Sequence, residues 1–265
     1  MMRSLWTGAS GMNGQQFNID TIANNLANVN TTGFKPMRAE FEDLLYQTQR
    51  IAGTPATDLT SRPLPTQVGH GVKVASSQRM FDQGSLQATG NPMDLAITGE
   101  GFLRVQLIDG SLAYTRDGNL NVDANGQLVT NQGYRVQPEI IFPENFIRET
   151  INITTQGEVN VRLPGLEDPV VVGQLELYRF VNPAGLTAVG QNLFTESTAS
   201  GEFIMGLPGQ DGMGQIQHRF LEMSAVSSIQ EMVNLIVAQR AYEFNSRTVQ
   251  TSDNMLATAT QLKRT

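Results

Sequence analysis

The chain of 265 residues contains no cysteine, so neither a disulfide framework nor a thiolate-ligated metal is open to it. Its only two histidines, His70 and His218, lie far apart and have no H-x-x-x-H or H-E-x-x-H partner. Both read as satisfied or surface residues rather than ligands. Charged residues make up 16%, acids outnumber bases, and the formal net charge is −7. A nucleic-acid binder needs a basic face to displace phosphate counterions, and docking on anionic lipid needs a basic cluster. Neither is available. No stretch approaches the roughly 18 apolar residues of a membrane-spanning helix. Met1-Met2-Arg3-Ser4-Leu5-Trp6 runs into Gly, Asn and Gln rather than an apolar h-region, so no cleaved signal peptide is expected.

Motifs that carry chemistry are also missing. There is no G-x-S-x-G elbow, Walker loop or strand-linked G-x-G-x-x-G. Asn121-Val122-Asp123-Ala124-Asn125-Gly126 resembles the first half of a calcium loop. However, Asn121 opens it, Gln132 stands where the closing bidentate Glu is needed, and no helices flank it. A β-hairpin with an Asn-Gly turn is the better reading. Asp94, Glu100, Asp109 and Asp117 are scattered through the same region. A glycosidase pair among them stays open, with turn and edge carboxylates the better reading. The expectation is a chain with no catalytic, cofactor or metal site.

What the sequence does have lies at its two ends. Residues 1–35 and 226–265 each carry a net charge of +1, which leaves −9 for the middle. Leu5, Met12, Ile19 and Leu26 repeat at seven, and Ile22 and Val29 extend the stripe at the companion position. This predicts a helical seam of the coiled-coil type. The helix is weak: Gly8, Gly11 and Gly14 each cost about 1 kcal/mol relative to Ala, and five asparagines add to this. It should not hold in isolation. The glycines leave a bare strip for close approach of another backbone.

The other end mirrors this. Ser228-Ile229-Gln230-Glu231 reads as a capping box with Ser228 at the N-cap. Leu235, Tyr242, Val249 and Leu256 then repeat at seven, and Ala238, Asn245, Ser252 and Ala259 do so at the companion position. Ile229, Val233, Ile236 and Val237 widen the apolar face near the start, which predicts more than one neighbour. The simplest way to bury both stripes is to pair the two helices.

The middle alternates at period two. Leu103, Val105 and Leu107, then Leu112 and Tyr114, then Leu120 and Val122, then Leu128, then Tyr134 and Val136 are separated by Asp-Gly, Asn-Gly and Gln-Gly turns. A second set runs over 151–161 and 170–181. Short strands at this spacing predict a meander, sandwich or barrel. Residues 50–75, with Thr54-Pro55 and Arg62-Pro63-Leu64-Pro65, read as an extended connector, and the Gly-rich stretch 199–216 reads as a loop. The expected fold is α+β, with terminal helices pairing as a coiled coil and a mainly antiparallel β domain inserted between them. The expected segments are 1–35 with 226–265 (helical), 36–75 (linker) and 76–225 (β-rich, outer).

The stretch Ala23-Asn24-Asn25-Leu26-Ala27-Asn28-Val29-Asn30-Thr31-Thr32-Gly33-Phe34-Lys35 resembles the N-terminal signature of the flagellar basal-body rod and hook family. In it, Asn28 to Thr32 can end the helix, Gly33 suits a positive φ, and Phe34 can fold back as an anchor. Val233-Asn234-Leu235-Ile236-Val237-Ala238-Gln239-Arg240-Ala241-Tyr242-Glu243, with its continuation to Leu256, is similar to the family's C-terminal signature. Phe41 to Thr48, Val68 to Val72 and Tyr114 to Gly118 resemble the distal-rod branch. One departure stands out: the family often has Gln-Gly-x-Leu-Glu-x-Ser-Asn-Val before its last helix, where this chain has Arg219 for Gly and Ala225 for Asn.

The resemblance implies a non-enzymatic axial subunit of a tubular homopolymer. Its terminal helices would line the inner wall, and Leu5, Met12, Ile19, Ile22, Leu26 and Val29 with Leu235, Ala238, Tyr242, Asn245, Val249 and Leu256 would be its self-assembly residues. It further implies proximal rod proteins, the hook protein, ring bushing proteins and the flagellar export apparatus as partners, and a basal-body position spanning the periplasm. A proximal rod or short hook protein is the alternative within the family. A glycan-binding or hydrolase module on a helical stalk is the alternative outside it.

Overall fold

The computed structural model describes residues 2–53, 55–57, 60–61, 63–144, 146–164 and 168–262. Thr54 and Arg62 of the Pro-rich stretch lie outside the described residues. The chain divides into two compact units: Met1–Ala27, Met37–Gln78 and Ser227–Thr265 form the first, and Asn28–Pro36 with Arg79–Val226 form the second.

The first unit contains the helices α1 (Met2–Ala27) and α2 (Ser228–Leu262). Its strands are β1 (Met37–Asp43), β2 (Tyr46–Arg50), β3 (Pro55–Thr57), β4 (Thr60–Ser61), β5 (Thr66–Gly69) and β6 (Val72–Arg79), with Arg79 belonging to the second unit. β1 pairs with β6, β2 with β5 and β3 with β4. The stretch expected as a linker is therefore largely paired strand. The signal was present: Met37, Ala39 and Phe41 alternate with Arg38, Glu40 and Glu42, the period of a strand with one covered face. Pro63 and Pro65 and the run of hydroxyl and amide residues obscured it. The start of α2 also differs by one position. The Glu231 N–H donates to the Ser227 carbonyl at 2.9 Å, which makes Ser227 rather than Ser228 the cap, because the N-cap carbonyl accepts the first intrahelical bond.

The second unit holds β7 (Leu86–Ala88), β8 (Leu95–Thr98), β9 (Leu103–Gln106), β10 (Leu112–Thr115), β11 (Leu120–Val122), β12 (Leu128–Thr130), β13 (Arg135–Gln137) and β14 (Asn152–Ile153). It continues with β15 (Glu158–Val161), β16 (Val170–Gln174), β17 (Leu177–Arg179), β18 (Thr187–Gly190), β19 (Leu193–Thr195), β20 (Ile204–Gly206), β21 (Gln215–His218) and β22 (Phe220–Glu222). The main sheet has the order β11-β12-β13-β9-β10-β19-β18, and a smaller one β14-β15-β16. β21 pairs with β8, β22 with β7 and β17 with β20, and every registered pair is antiparallel.

Period-two alternation decides which side chains fill this unit. On β9, Leu103 and Val105 are buried and Arg104 and Gln106 are not; on β15, Val159 and Val161 are buried and Glu158 and Asn160 are not. These residues join Ile97, Leu120, Val136, Ile151, Leu175, Leu177 and Ile216 in one core cluster. A second cluster is aromatic, with Phe102, Tyr114, Tyr178, Phe180 and Phe194, and the Tyr114 and Phe180 rings meet edge-on at 4.8 Å. The Asn125-Gly126 turn joins β11 to β12 with Gly126 at φ +77°, as the hairpin reading requires. The Gly-rich stretch 199–216 contains β20, a strand not anticipated there. His70 is exposed, and His218 Nε2 donates to the Pro92 carbonyl at 2.8 Å.

Arg219 explains the departure noted in the sequence. Its φ is +66°, the left-handed conformation that costs an L-residue about 1–2 kcal/mol. Two backbone bonds hold it there: its N–H donates to the Asp94 carbonyl at 2.8 Å, and its carbonyl accepts from Thr89 N–H at 3.0 Å. The turn thus survives the loss of glycine under strain. Arg219→Gly is expected to raise the stability of the β unit by up to about 1 kcal/mol, the relieved strain less glycine's entropy. A urea midpoint that stays put or falls would show that the strain is already relieved.

Candidate assembly surface

α1 and α2 pack antiparallel. Ser4 and Ser252 share a hydroxyl–hydroxyl hydrogen bond of 2.9 Å. A Cβ at Gly8 would lie 2.8 Å from Val249 Cγ2, and one at Gly11 2.8 Å from Asn245 Nδ2. Gly14 faces elsewhere, 3.3 Å from Phe41 and 3.6 Å from Val72 by the same measure. The glycine strip therefore serves two neighbours: α2 for Gly8 and Gly11, and the β1–β6 pair for Gly14. Leu5, Met12, Ile19 and Leu26 are half-buried and Ile22 is buried; on α2, Ala238 and Ser252 are buried, while Leu235, Asn245, Val249 and Leu256 are half-buried. Tyr242 sits at the margin of this face. Val29, read as the last member of the stripe, lies past the end of α1 in the turn that follows.

Asn25 closes the lower end of the pair. Its Nδ2 donates to the Met37 carbonyl at 2.8 Å, and its Oδ1 accepts from the Met37 N–H at 2.9 Å. The side chain thus acts as one more strand residue for β1. Burial lifts the carboxyl of Glu231 on α2, and a hydrogen bond with Asn25 partly counters this.

The rest of the N-terminal motif belongs to the second unit. Thr31 N–H donates to the Asn28 carbonyl and Thr31 Oγ1 to Asn28 Oδ1, both at 3.1 Å, which turns the chain after α1. Gly33 has φ +66°, and a Cβ there would lie 3.0 Å from the backbone of Arg116 and Asp117; only glycine meets both demands. Phe34 is buried, and the Arg79 guanidinium lies over its ring at 5.9 Å. Lys35 is 1% exposed and Glu222 2%. Glu222 Oε1 accepts from Lys35 Nζ at 2.6 Å and from the Gly84 N–H at 2.9 Å; Oε2 accepts from Arg116 Nε at 2.8 Å. Arg116 gives three of its four remaining N–H groups to the carbonyls of Ile97, Gly99 and Gly101. Burial alone would raise the Glu222 carboxyl, but the Arg116 and Lys35 charges and their hydrogen bonds outweigh it and hold it below the ordinary range. Burial pulls the Lys35 ammonium down, and Glu222 only partly offsets this.

The outer side of α2 is apolar and open: Ile229 is 73% exposed, Ile236 57%, Val237 63% and Phe244 62%. Trp6 on α1 is 74% exposed. The β2–β5 hairpin carries exposed Tyr46 and Val68, with Leu45, Ile51 and Leu64 exposed beside it. Among the described residues no group of three or more His, Asp or Glu could hold a metal ion, and no helix is long and apolar enough to cross a membrane.

Three family descriptions match along the chain: "Flagella basal body rod protein" over residues 5–35, "Flagellar hook protein FlgE/F/G D1 domain" over 96–161, and "Flagellar basal body rod FlgEFG protein C-terminal" over 217–262. The flagellar basal-body rod protein FlgG of Borreliella burgdorferi is 58% identical over 264 residues, covering 100% of both chains. The chain belongs to the flagellar basal-body rod family. The FlgG proteins of Buchnera aphidicola subsp. Schizaphis graminum and Caulobacter vibrioides are 48% and 46% identical, each covering 99% of this chain and 100% of the relative. Members of this rod and hook family are structural proteins rather than enzymes.

Lys35, Arg116 and Glu222 come from three stretches far apart in the sequence, and no local pattern brings them together. The helix pair yields a test. Gly8→Leu places a side chain where Val249, stiff at χ1, already stands. Overpacking of this kind costs about 1–3 kcal/mol, against a gain of about 1 kcal/mol in helix propensity. The full chain should lose helical circular dichroism, while an isolated 2–27 peptide with the same change should gain it. A gain in both would mean that the seam is not close-packed.

Proposed function

We propose that the chain is a structural subunit of the flagellar distal rod. It polymerises into a tubular shaft that carries torque from the motor to the hook across the periplasm. The single observation that carries the reading, given family membership, is the open apolar face of α2. Ile229, Val233, Ile236, Val237 and Phe244 are large, exposed and on a helix, and a monomer has little reason to leave such a stripe in water. The end-to-end match with FlgG relatives favours a distal rod subunit over a hook protein.

In this reading α1 and α2 form a coiled coil whose first seam, Leu5, Met12, Ile19, Ile22 and Leu26 against Leu235, Ala238, Asn245, Val249 and Leu256, is made within one subunit. The outer α2 face makes the second seam with a neighbouring copy. Support comes from the antiparallel register and the small residues at the contact. The helices are too rich in Gly and Asn to hold alone. They would therefore pass the export apparatus unfolded and order at the growing tip, where contacts with neighbours offset the ordering cost. Proximal rod proteins, the hook protein and the ring bushing proteins are the partners this role requires.

The β2–β5 hairpin is the candidate clamp between subunits. An isolated two-stranded hairpin is marginal in water, and this one presents exposed apolar residues, so a neighbouring copy is its natural support.

Two measurements test the reading. Ile236→Asp, on the open face, should leave the thermal unfolding of the β unit unchanged and abolish tubular polymers in electron micrographs of concentrated protein; tubes of normal yield would remove the second seam. Deleting residues 46–72 should leave subunits that still polymerise but give shafts of lower bending stiffness or a failed join to the hook. Shafts of unchanged stiffness with an intact join would remove the clamp.

A further inference from the structure

Two segments connect the β unit to the helices by covalent chain: residues 28–36 lead in from α1, and residues 222–226 lead out to α2. Inside the β unit they lie side by side. Gly33 N–H donates to the Glu222 carbonyl at 2.8 Å, and Ala225 N–H donates to the Phe34 carbonyl at 3.1 Å. The strongest link between them is ionic, through Lys35 and Glu222, and Arg116 anchors the same carboxylate to the β10–β11 turn.

We propose that Glu222 is an acid-sensitive clasp. Its ionised carboxylate locks the incoming segment beside the outgoing one, and its protonation parts residues 28–36 from residues 222–226 while the core around β9 to β13 stays folded.

The groups that face Glu222 set the sign. Lys35 comes from the incoming segment and Arg116 from the β10–β11 turn, Gly84 adds a backbone N–H, and the Asp82 carbonyl accepts a second hydrogen bond from Lys35 Nζ at 2.6 Å. Two cations thus confront one carboxylate, and removing its charge leaves both buried without a counterion, the costly way to break such a cluster. The carboxyl is held lower when the clasp is closed than when it is open. The clasp is therefore fully stabilised above the ordinary glutamate range and loses that stabilisation as pH falls through the closed-state value. Within that window the open population rises about tenfold per pH unit.

Asp117, a carboxylate of the β10–β11 turn that faces the incoming segment, accepts a hydrogen bond from Thr32 Oγ1 at 3.0 Å. Burial raises it, opposite in direction to Glu222, so its protonation favours the closed arrangement rather than opposing it. The core cluster contains only apolar side chains, which is why acid reaches the clasp first, as a local opening.

The test is hydrogen exchange of the full chain followed by mass spectrometry across a pH series, with rates corrected for intrinsic exchange. Peptides covering 28–36 and 219–226 should lose protection together, about tenfold per pH unit once the pH is below about 4.3, the ordinary glutamate value, while a peptide covering 103–115 keeps its protection. Lys35→Met removes one of the two cations, so release should move to higher pH. Glu222→Gln should leave both segments open near neutral pH and flatten the profile. The proposal falls if the segments and the core lose protection in one step in the wild type, or if Lys35→Met leaves the release midpoint where it was. The wild-type profile decides the matter even if Glu222→Gln fails to fold.

Discussion

The arrangement of the second unit depends on one buried carboxylate. Moving a carboxylate out of water is costly unless charges and hydrogen bonds replace its hydration. Glu222 recovers them from three places in the sequence: Lys35, Gly84 and Arg116. Each partner constrains its own segment. Lys35 can arrive only if Gly33 passes close over the Arg116–Asp117 backbone. Arg116 can arrive only if the carbonyls of Ile97, Gly99 and Gly101 accept three of its other N–H groups. These carbonyl dipoles also take up part of the excess positive charge, since the cluster holds two cations and one anion. A polar cluster this fully satisfied specifies geometry better than apolar packing does, because a partly satisfied version is worse than none.

The first unit follows a different logic. α1 buries only Gly8, Gly14, Ile22 and Asn25, and α2 only Ala238 and Ser252. Small residues let the backbones approach, so the gain comes from close contact and from hydrogen bonds such as Ser4 to Ser252, not from burying large side chains. A second set of large apolar residues on α2, including Ile229, Ile236, Val237 and Phe244, is exposed instead. A helix pair of this kind is unfinished: its best hydrophobic material has not been used. In a member of the rod family the material is accounted for if copies of the chain supply the missing cover, which is the reason for assigning the outer α2 face to assembly.

The parts legible in the sequence were those governed by local period. The heptads placed both helices, and the alternation of Leu103 with Val105 and the Asn125-Gly126 turn placed strands and a hairpin. The parts that were not legible depend on contacts distant in sequence. Nothing in the neighbourhood of Lys35 indicates that its counterion is Glu222. Val29 continues the heptad in sequence, but Asn28 and Thr31 turn the chain first, so local hydrogen bonding overrode the apolar period. Met37 to Asp43 alternates as a strand should, yet its outward face is Arg and Glu and its inward face is modest, so composition outweighed period in the reading. Arg219 is the opposite case. A sequence departure raised a doubt about turn geometry, and the backbone angle supplies the answer: the turn is kept and the residue is strained.

The two units therefore divide stability between them in kind. The β unit has a closed apolar core, an aromatic cluster and a satisfied ionic clasp, all made from its own residues. The helical unit has short contacts, exposed apolar stripes and a hairpin with little beneath it. In the proposed role this division is what a self-assembling shaft needs. One part must be folded and identical in every copy before assembly, so that copies can be added in register. The other must be held back from completion, so that its folding free energy is released only at the tip. If the exposed apolar residues of α2 were also covered within one chain, the monomer would be more stable and the polymer less so, because the free energy that drives subunit addition would already have been used in the free chain.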